Sequence, residues 1–464
     1  MSGLAATSLP STGTLLALLA AAAVLVAALA AVMRRWPEAF PLLAVVALPF
    51  RVPVAADGRT VNLLIPLYLV IAAGTVAHLL APLLERRRLA PAPQAVAPEG
   101  QAGPPARREV AWLGWLLLGA VALYVLQISY SADRAKAAEN VAFFYVPFGL
   151  LFVLLRDVRW TPRLLRRCLG LLVGIAVVLA GVGFVEYYRK SLFLNPKLVA
   201  ANQYDNYFRV NSLFFDPSIY GRFLMLVMIG VTTAVLWGAR REAQVGAAVL
   251  AWLLAGLVTS FSQSSIVALL LGLVVLAAWR WSVRGTVIAA AGLLLVAVAL
   301  LALAPSSWHF GLGGRKGSAE NATSGRAALV EGGLELFADR PVQGYGSGSF
   351  EREYKSHRTG SQATAQNATS ASHTIPVTIA AEQGLPGLLV YVALLAVAFL
   401  VLFRGAGRSP PRIAIAAAFA ALVLHTWTYA DFLEDPFTWA LLAIGVALAR
   451  AQREPAATPT ANTV

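Results

Sequence analysis

Charge is what this sequence has least of. Only 13% of its residues are Asp, Glu, Lys or Arg, about half the share usual in a soluble domain. Cysteine occurs once, at Cys168, which excludes an internal disulfide and a thiolate metal cluster and reads as a small buried apolar residue. His, Cys and Asp nowhere fall at metal-ligand spacing, so no metal is expected. The glycine-rich GYGSGSF at 344–350 has neither a phosphate-binding lysine nor a preceding strand, which argues against a nucleotide cofactor. No internal repeat is visible, against the paired halves of many secondary transporters.

Long apolar runs are what the sequence does have. Hydrophobic residues make up 58% of the chain and the mean hydropathy is +0.69. At 1.5 Å per residue such runs cross a hydrocarbon core of about 30 Å, and they are too long for barrel strands. The expected fold is therefore an all-α polytopic membrane domain over 1–464 with about 12–13 spans. They are placed at 14–33, 39–50, 62–84, 111–128, 141–155, 165–185, 219–237, 245–261, 265–279, 286–304, 376–403, 413–430 and 437–449.

Basic residues collect on the cytoplasmic side of membranes. With alternate connections taken as cytoplasmic, that side holds about 21 of the 37 basic residues and 7 of the 23 acids. The formal charge of +14 thus reads as topology rather than as nucleic-acid binding. This assignment puts a retained first helix with its N-terminus outside and the C-terminus inside. Residues 89–106 read as a flexible cytoplasmic linker and 451–464 as a disordered cytoplasmic tail. Two segments face outside: 186–218, rich in aromatic and basic residues, and the large loop 305–375.

That loop carries its own order. Leu329, Leu334, Leu336 and Phe337 recur at helical spacing, Asp339-Arg340-Pro341 ends the helix, and Gly344, Gly346 and Gly348 form a turn. Near the same boundary lie the residues able to do chemistry. Arg209 precedes Asp216-Pro217, which starts a helix, and Arg222 falls a turn inside it; an arginine at membrane depth faces a cavity or a partner, unless it snorkels to the interface or pairs with Asp216. Thr259 to Ser265 gather four serines and Gln263 where two spans meet. Arg326 opens the loop helix.

His373 stands just before Pro376, so it precedes a helix start that Ser372 or Thr374 caps. The positive end of the helix favours a neutral imidazole, able to accept a proton. Glu382 lies nine residues on, turned half way round the helix, so the two are not an acid–base pair. The break Gly384-Leu385-Pro386-Gly387 ends a short helix before the true span. Among Asp431, Glu434 and Asp435, the last reads as a helix cap before Pro436.

In order, RVNSLFFDPSIYG, TSFSQSSIVALLLGL, SGRAALVEGGLELFADRPVQGYGSGSF and SHTIPVTIAAEQGLPGLLVYVALL resemble the O-antigen ligase and polymerase superfamily of bacterial membrane glycosyltransferases. The resemblance covers 209–400. It implies a metal-independent enzyme of the cytoplasmic (inner) membrane. Such an enzyme moves a glycan at the outer face from a polyprenyl-diphosphate carrier to a lipid acceptor, as ligases do, or to a carrier-linked glycan, as polymerases do. It further implies catalytic roles for His373 and Arg209, with Arg209, Arg222, Arg326 and Gln263 at the diphosphate, and Glu382, Gly344 and Gly346 as structural or interfacial residues. Two positions depart from the pattern: Gln263 stands where many members have arginine and Thr374 where many have asparagine. Gln263 brings no charge, so Arg222 or Arg326 is expected to supply the missing cation.

Overall fold

Hydroxyl- or acid-proline pairs set where the long helices begin. Thr161-Pro162, Asp216-Pro217, Ser409-Pro410 and Asp435-Pro436 each place proline at the first helical position, where its missing N–H would have no partner anyway. Thr161 accepts from Leu164 N at 3.1 Å, Asp216 from Ser218 N at 2.6 Å and Asp435 from Phe437 N at 2.9 Å. The Asp435 cap and the Asp216-Pro217 start are those read from the sequence.

The computed structural model describes residues 12–56, 59–82, 106–194, 208–288, 318–357 and 374–452. In chain order these form α1 Thr12–Arg35, α2 Ala39–Ala47, β1 Val52–Ala56, β2 Arg59–Leu63, α3 Ile65–Leu80, α4 Ala106–Gln127 and α5 Arg134–Arg156. There follow α6 Pro162–Arg189, α7 Pro217–Trp237, α8 Arg240–Thr259, α9 Gln263–Arg280, α10 Ser318–Asp339, α11 Phe350–His357, α12 Ile375–Phe403, α13 Pro410–Thr428 and α14 Pro436–Ala451. Among the described residues nine helices are long and apolar enough to cross a membrane, and α3 and α14 are shorter apolar helices. The chain is an all-α polytopic membrane protein, with one small hairpin among the described residues.

Two of the expected spans are corrected. The run 39–50 yields only the nine residues of α2, about 13.5 Å of helix, too short to cross. Pro49 stops it: Leu48 before it keeps helical backbone and donates to Ala44 O, but proline has no N–H to continue the series. The span expected from 62 begins instead with β2, paired antiparallel to β1 from Val52↔Leu63 to Ala56↔Arg59, and the helix starts at Ile65. The span 286–304, the linker 89–106 and the tail 451–464 lie wholly or mostly outside the described residues.

α7 and α13 form the centre of the bundle: 67% of each apolar window is buried, against 6% for α1. α7 packs against α8, α9 and α13, and α9 against α13. Phe223, Leu224, Leu257, Leu269 and Leu422 lie in this core. A second core joins α2 to α5 with α12, α13 and α14 around Phe40, Phe148, Leu394, Phe419 and Trp439. The large loop has its own small core, Leu329, Leu336, Tyr345, Phe350 and Tyr354, closed by Ala381 of α12.

The docking of that loop depends on glycine. Gly344, Gly346 and Gly348 have φ of 64°, 91° and 75°, and α12 breaks at Gly384 with φ 64° and ψ −161°, backbone that non-glycine residues adopt only under strain. A Cβ at Gly344 would lie 2.3 Å from the Glu382 carbonyl oxygen, and one at Gly384 2.4 Å from that of Val342. This close approach lets Tyr345 N donate to Ala381 O (3.1 Å), Gly346 N to Glu382 O (2.7 Å) and Leu385 N to Pro341 O (2.8 Å). The helix–turn–kink order predicted for 324–387 is therefore present, and its parts hold one another.

Candidate functional site

The four connections after α6, α8, α13 and α4 meet at one end of the bundle, where the large loop also docks. Strain collects there. The non-glycine residues of positive φ among the described residues are Lys190, Ser212, Phe261 and Asp431, at φ 51°, 52°, 49° and 67°. Each costs about 1–2 kcal/mol relative to ordinary backbone, so the surroundings must over-determine it.

Ser212 is held by a buried acid. Glu186 Oε2 accepts from Ser212 N at 2.7 Å and its Oε1 from Phe193 N at 3.0 Å, while Ser212 Oγ donates to Leu179 O at 2.8 Å. The side chains of Glu186, Asn211 and Ser212 are fully buried. Just upstream, Val210 N donates to Thr259 O at 3.2 Å, and half-buried Arg209 donates through Nε to Ser260 O at 3.4 Å. The first two family-like motifs, distant in sequence, thus meet at the corner between α8 and α9. Gln263 opens α9 with its side chain exposed, while Ser262, Ser264 and Ser265 turn inward.

Arg222 is committed inside the protein. It is 1% exposed and its guanidinium pairs with Asp435 through Nη1. It also donates to Ala430 O (2.6 Å), Asp431 O (3.3 Å) and His425 Nδ1 (3.3 Å). Its ring-face neighbour is Tyr429, with the guanidinium carbon 5.6 Å from the ring centroid. The sequence pointed to Arg222 as a cation for a diphosphate, or as a partner of Asp216. The geometry pairs it otherwise: four protein groups take four of its five N–H hydrogens, and its acid is Asp435, 213 positions away. His425 carries the network on, its Nε2 lying 3.0 Å from Ser265 Oγ and 3.4 Å from Ser264 Oγ.

The acidic connection 431–435 faces two ways. Asp435 and the Asp431 carbonyl serve Arg222, while Glu434 accepts from Tyr145 Oη at 3.0 Å and Asn140 Nδ2 at 3.4 Å. Burial, and then the neighbouring Asp431 charge, hold the Glu434 carboxyl well above the usual carboxylate range. Across the same end, Glu382 Oε1 accepts from Phe350 N at 3.0 Å, capping α11 while its own carbonyl takes Gly346 N. Tyr130 Oη donates to Gln343 O (3.1 Å) and Ser131 Oγ to Ser347 O (2.9 Å), tying the glycine turn to the end of α4. Glu382, Gly344 and Gly346 occupy one joint.

Of the other expected site residues, Arg326 lies within α10, and His373 lies outside the described residues. Thr374 takes the N-cap position of α12 with extended backbone, and its side chain makes no capping bond. Among the described residues no three His, Cys, Asp or Glu side chains are placed to hold a metal ion. The sequence reading missed Glu186 and His425. His425 had a signal: an ionisable side chain inside the apolar run ALVLHTWT marks a functional or paired position in a membrane helix.

Fold and site together define a polytopic membrane protein with a strained, arginine-bearing corner at the end where a large helical loop docks. Residues 248–392, from within α8 to beyond the α12 kink, match the O-antigen ligase family. That match bears out the resemblance to the O-antigen ligase and polymerase superfamily of membrane glycosyltransferase-type enzymes. No curated protein matches. A chain from a solved structure titled for polymerization and crosslinking by a peptidoglycan synthase complex is similar at 15% identity and a TM-score of 0.43, over 74% of this chain and 98% of that one.

Proposed function

We propose that this protein transfers a glycan from a polyprenyl-diphosphate carrier to a lipid acceptor, as an O-antigen ligase does, at the outer face of the bacterial cytoplasmic membrane. The observation that carries this reading is Arg209, held at the strained corner beside Ser260 where the family-matching segment begins its second helix. In the reaction an acceptor hydroxyl attacks the anomeric carbon, the bond from that carbon to the carrier diphosphate breaks, and negative charge gathers on the departing phosphate oxygens. A fixed guanidinium in a poorly hydrated site stabilises that charge without reorganising. His373, just ahead of α12, orients the acceptor hydroxyl and takes its proton. Arg326 at the loop helix is the second cation of this reading, since Arg222 is occupied by Asp435.

The aromatic and basic segment 186–218 guides the carrier or sugar at the membrane interface. Lys190, stacked 3.5 Å from the Tyr187 ring centroid, belongs to it. The large loop faces outward and covers the acceptor side. The test is purified protein with a defined polyprenyl-diphosphate glycan and an acceptor lipid, with products sized. A single transfer supports the ligase reading, and a ladder of repeats would make the protein a polymerase of the same superfamily. Arg209→Ala is expected to lower transfer about 10²–10³-fold. Parental transfer by normally inserted Arg209→Ala and His373→Ala proteins would refute the site assignment.

A further inference from the structure

The corner that holds Arg209 is connected to the buried ion pair by an unbroken chain of polar contacts. Arg222 Nε donates to His425 Nδ1 at 3.3 Å. Arginine has no acceptor and keeps its protons, so Nδ1 carries the lone pair and Nε2 the hydrogen. That hydrogen is directed to Ser265 Oγ at 3.0 Å, which lies 2.8 Å from Ser262 Oγ, the cap of α9. Ser262 N donates to Ser260 Oγ at 3.2 Å, and the Ser260 carbonyl receives Arg209 Nε at 3.4 Å. Between Ser260 and Ser262 stands Phe261, in left-handed backbone at φ 49°.

Every serine in this series of contacts is buried, and so is His425. Gly221 makes the approach possible: a Cβ there would lie 2.7 Å from Ser265 Oγ and 3.0 Å from Ser262 Cβ. Left alone, a phenylalanine would leave the left-handed region, and the Ser260 carbonyl would swing with it. The buried hydroxyls of Ser260 and Ser262 brace both sides of Phe261, beside the bond from Phe261 N to Val258 O at 3.0 Å, and Ser262 Oγ is linked through Ser265 Oγ to His425.

We propose that His425 is a positioning residue for the donor arginine: through Ser265 and Ser262 it holds the strained Ser260–Ser262 corner in the shape that aims Arg209. This rests on the reading of Arg209 as the diphosphate arginine. Since the hydrogen bond from Arg222 occupies Nδ1, His425 is not the base that takes the acceptor proton; it acts through the backbone of the corner.

The experiment uses full-length protein in detergent or lipid, with steady-state transfer measured against both substrates. His425→Ala and Ser262→Ala, which cut the chain of contacts at two places, are each expected to lower kcat about tenfold while the acceptor KM stays near parental. His425→Gln keeps one donor and one acceptor and retains most activity. Adding Phe261→Asn, which tolerates left-handed backbone, restores transfer in both alanine backgrounds to within about threefold of parental, which an ordinary loss of stability or of a chemical group would not allow. An Arg209→Ala protein as active as the parent removes the reading on which this rests. If Arg209→Ala is impaired while both alanine variants remain fully active, or their losses are not repaired by Phe261→Asn, the positioning role alone is overturned.

Discussion

Replacing Arg222 by Met tests the central ion pair. The substitution keeps a long apolar side chain but removes four donated contacts: to Asp435, Ala430 O, Asp431 O and His425 Nδ1. The Asp435 side chain is 3% exposed, so it would be left as a buried charge with no cation. Breaking one partner of a buried pair in this way costs about 3–5 kcal/mol. For a chain of this size each kcal/mol lowers the melting temperature by about 2 °C or less, so a fall of roughly 5–10 °C is expected. The companion variant Arg222→Met/Asp435→Asn removes the stranded charge, and asparagine caps the α14 N-terminus about as well as aspartate. It is expected to recover at least half of the loss, a coupling of about 2 kcal/mol. Thermal unfolding of the detergent-solubilised proteins, followed by intrinsic fluorescence of the bundle tryptophans, reads both. A single variant melting within about 1 °C of the parent, or a double variant no better than the single, would refute the reasoning.

Three further outcomes follow from the geometry. Gly384→Ala forces a Cβ within 2.4 Å of the Val342 carbonyl at a φ of 64°; it should loosen the loop by at least about 1–3 kcal/mol and speed proteolysis within 318–357, whereas Gly119→Ala, with nothing within 4 Å, serves as the silent control. Glu382→Ala leaves Phe350 N without its acceptor at the start of α11 and should cost about 1–3 kcal/mol with the same proteolytic signature, Glu382→Gln recovering most of it. For Glu434 the raised folded value means that the native state holds the proton that the unfolded state has lost, so stability falls as pH rises from about 4.5 through that raised value. Glu434→Gln should flatten this slope in a plot of melting temperature against pH, and an unchanged slope would reassign the effect.

Much of the architecture is legible in the sequence. Asp216-Pro217 and Asp435-Pro436 announce helix starts because the acid caps and the proline cannot enter later. Leu329 to Phe337 spell a helix by spacing, and the glycines at 344, 346 and 348 spell a turn. The run at 39–50 misleads because its hydropathy hides Pro49, which cuts the helix to nine residues. Arg222 misleads for another reason: local spacing offers Asp216 as its partner, while the true partner arrives from a helix 213 positions later.

The sequence by itself determined the class of molecule, its many long apolar helices and most of their starting points, because hydropathy, proline and caps act over a few neighbouring residues. It also marked Arg209 as a candidate through the motif around it. Only the tertiary structure decided which charges are spent on the fold. That choice depends on groups such as Asp435, His425 and the Ser260 carbonyl meeting across helices, where burial makes each polar group find a partner.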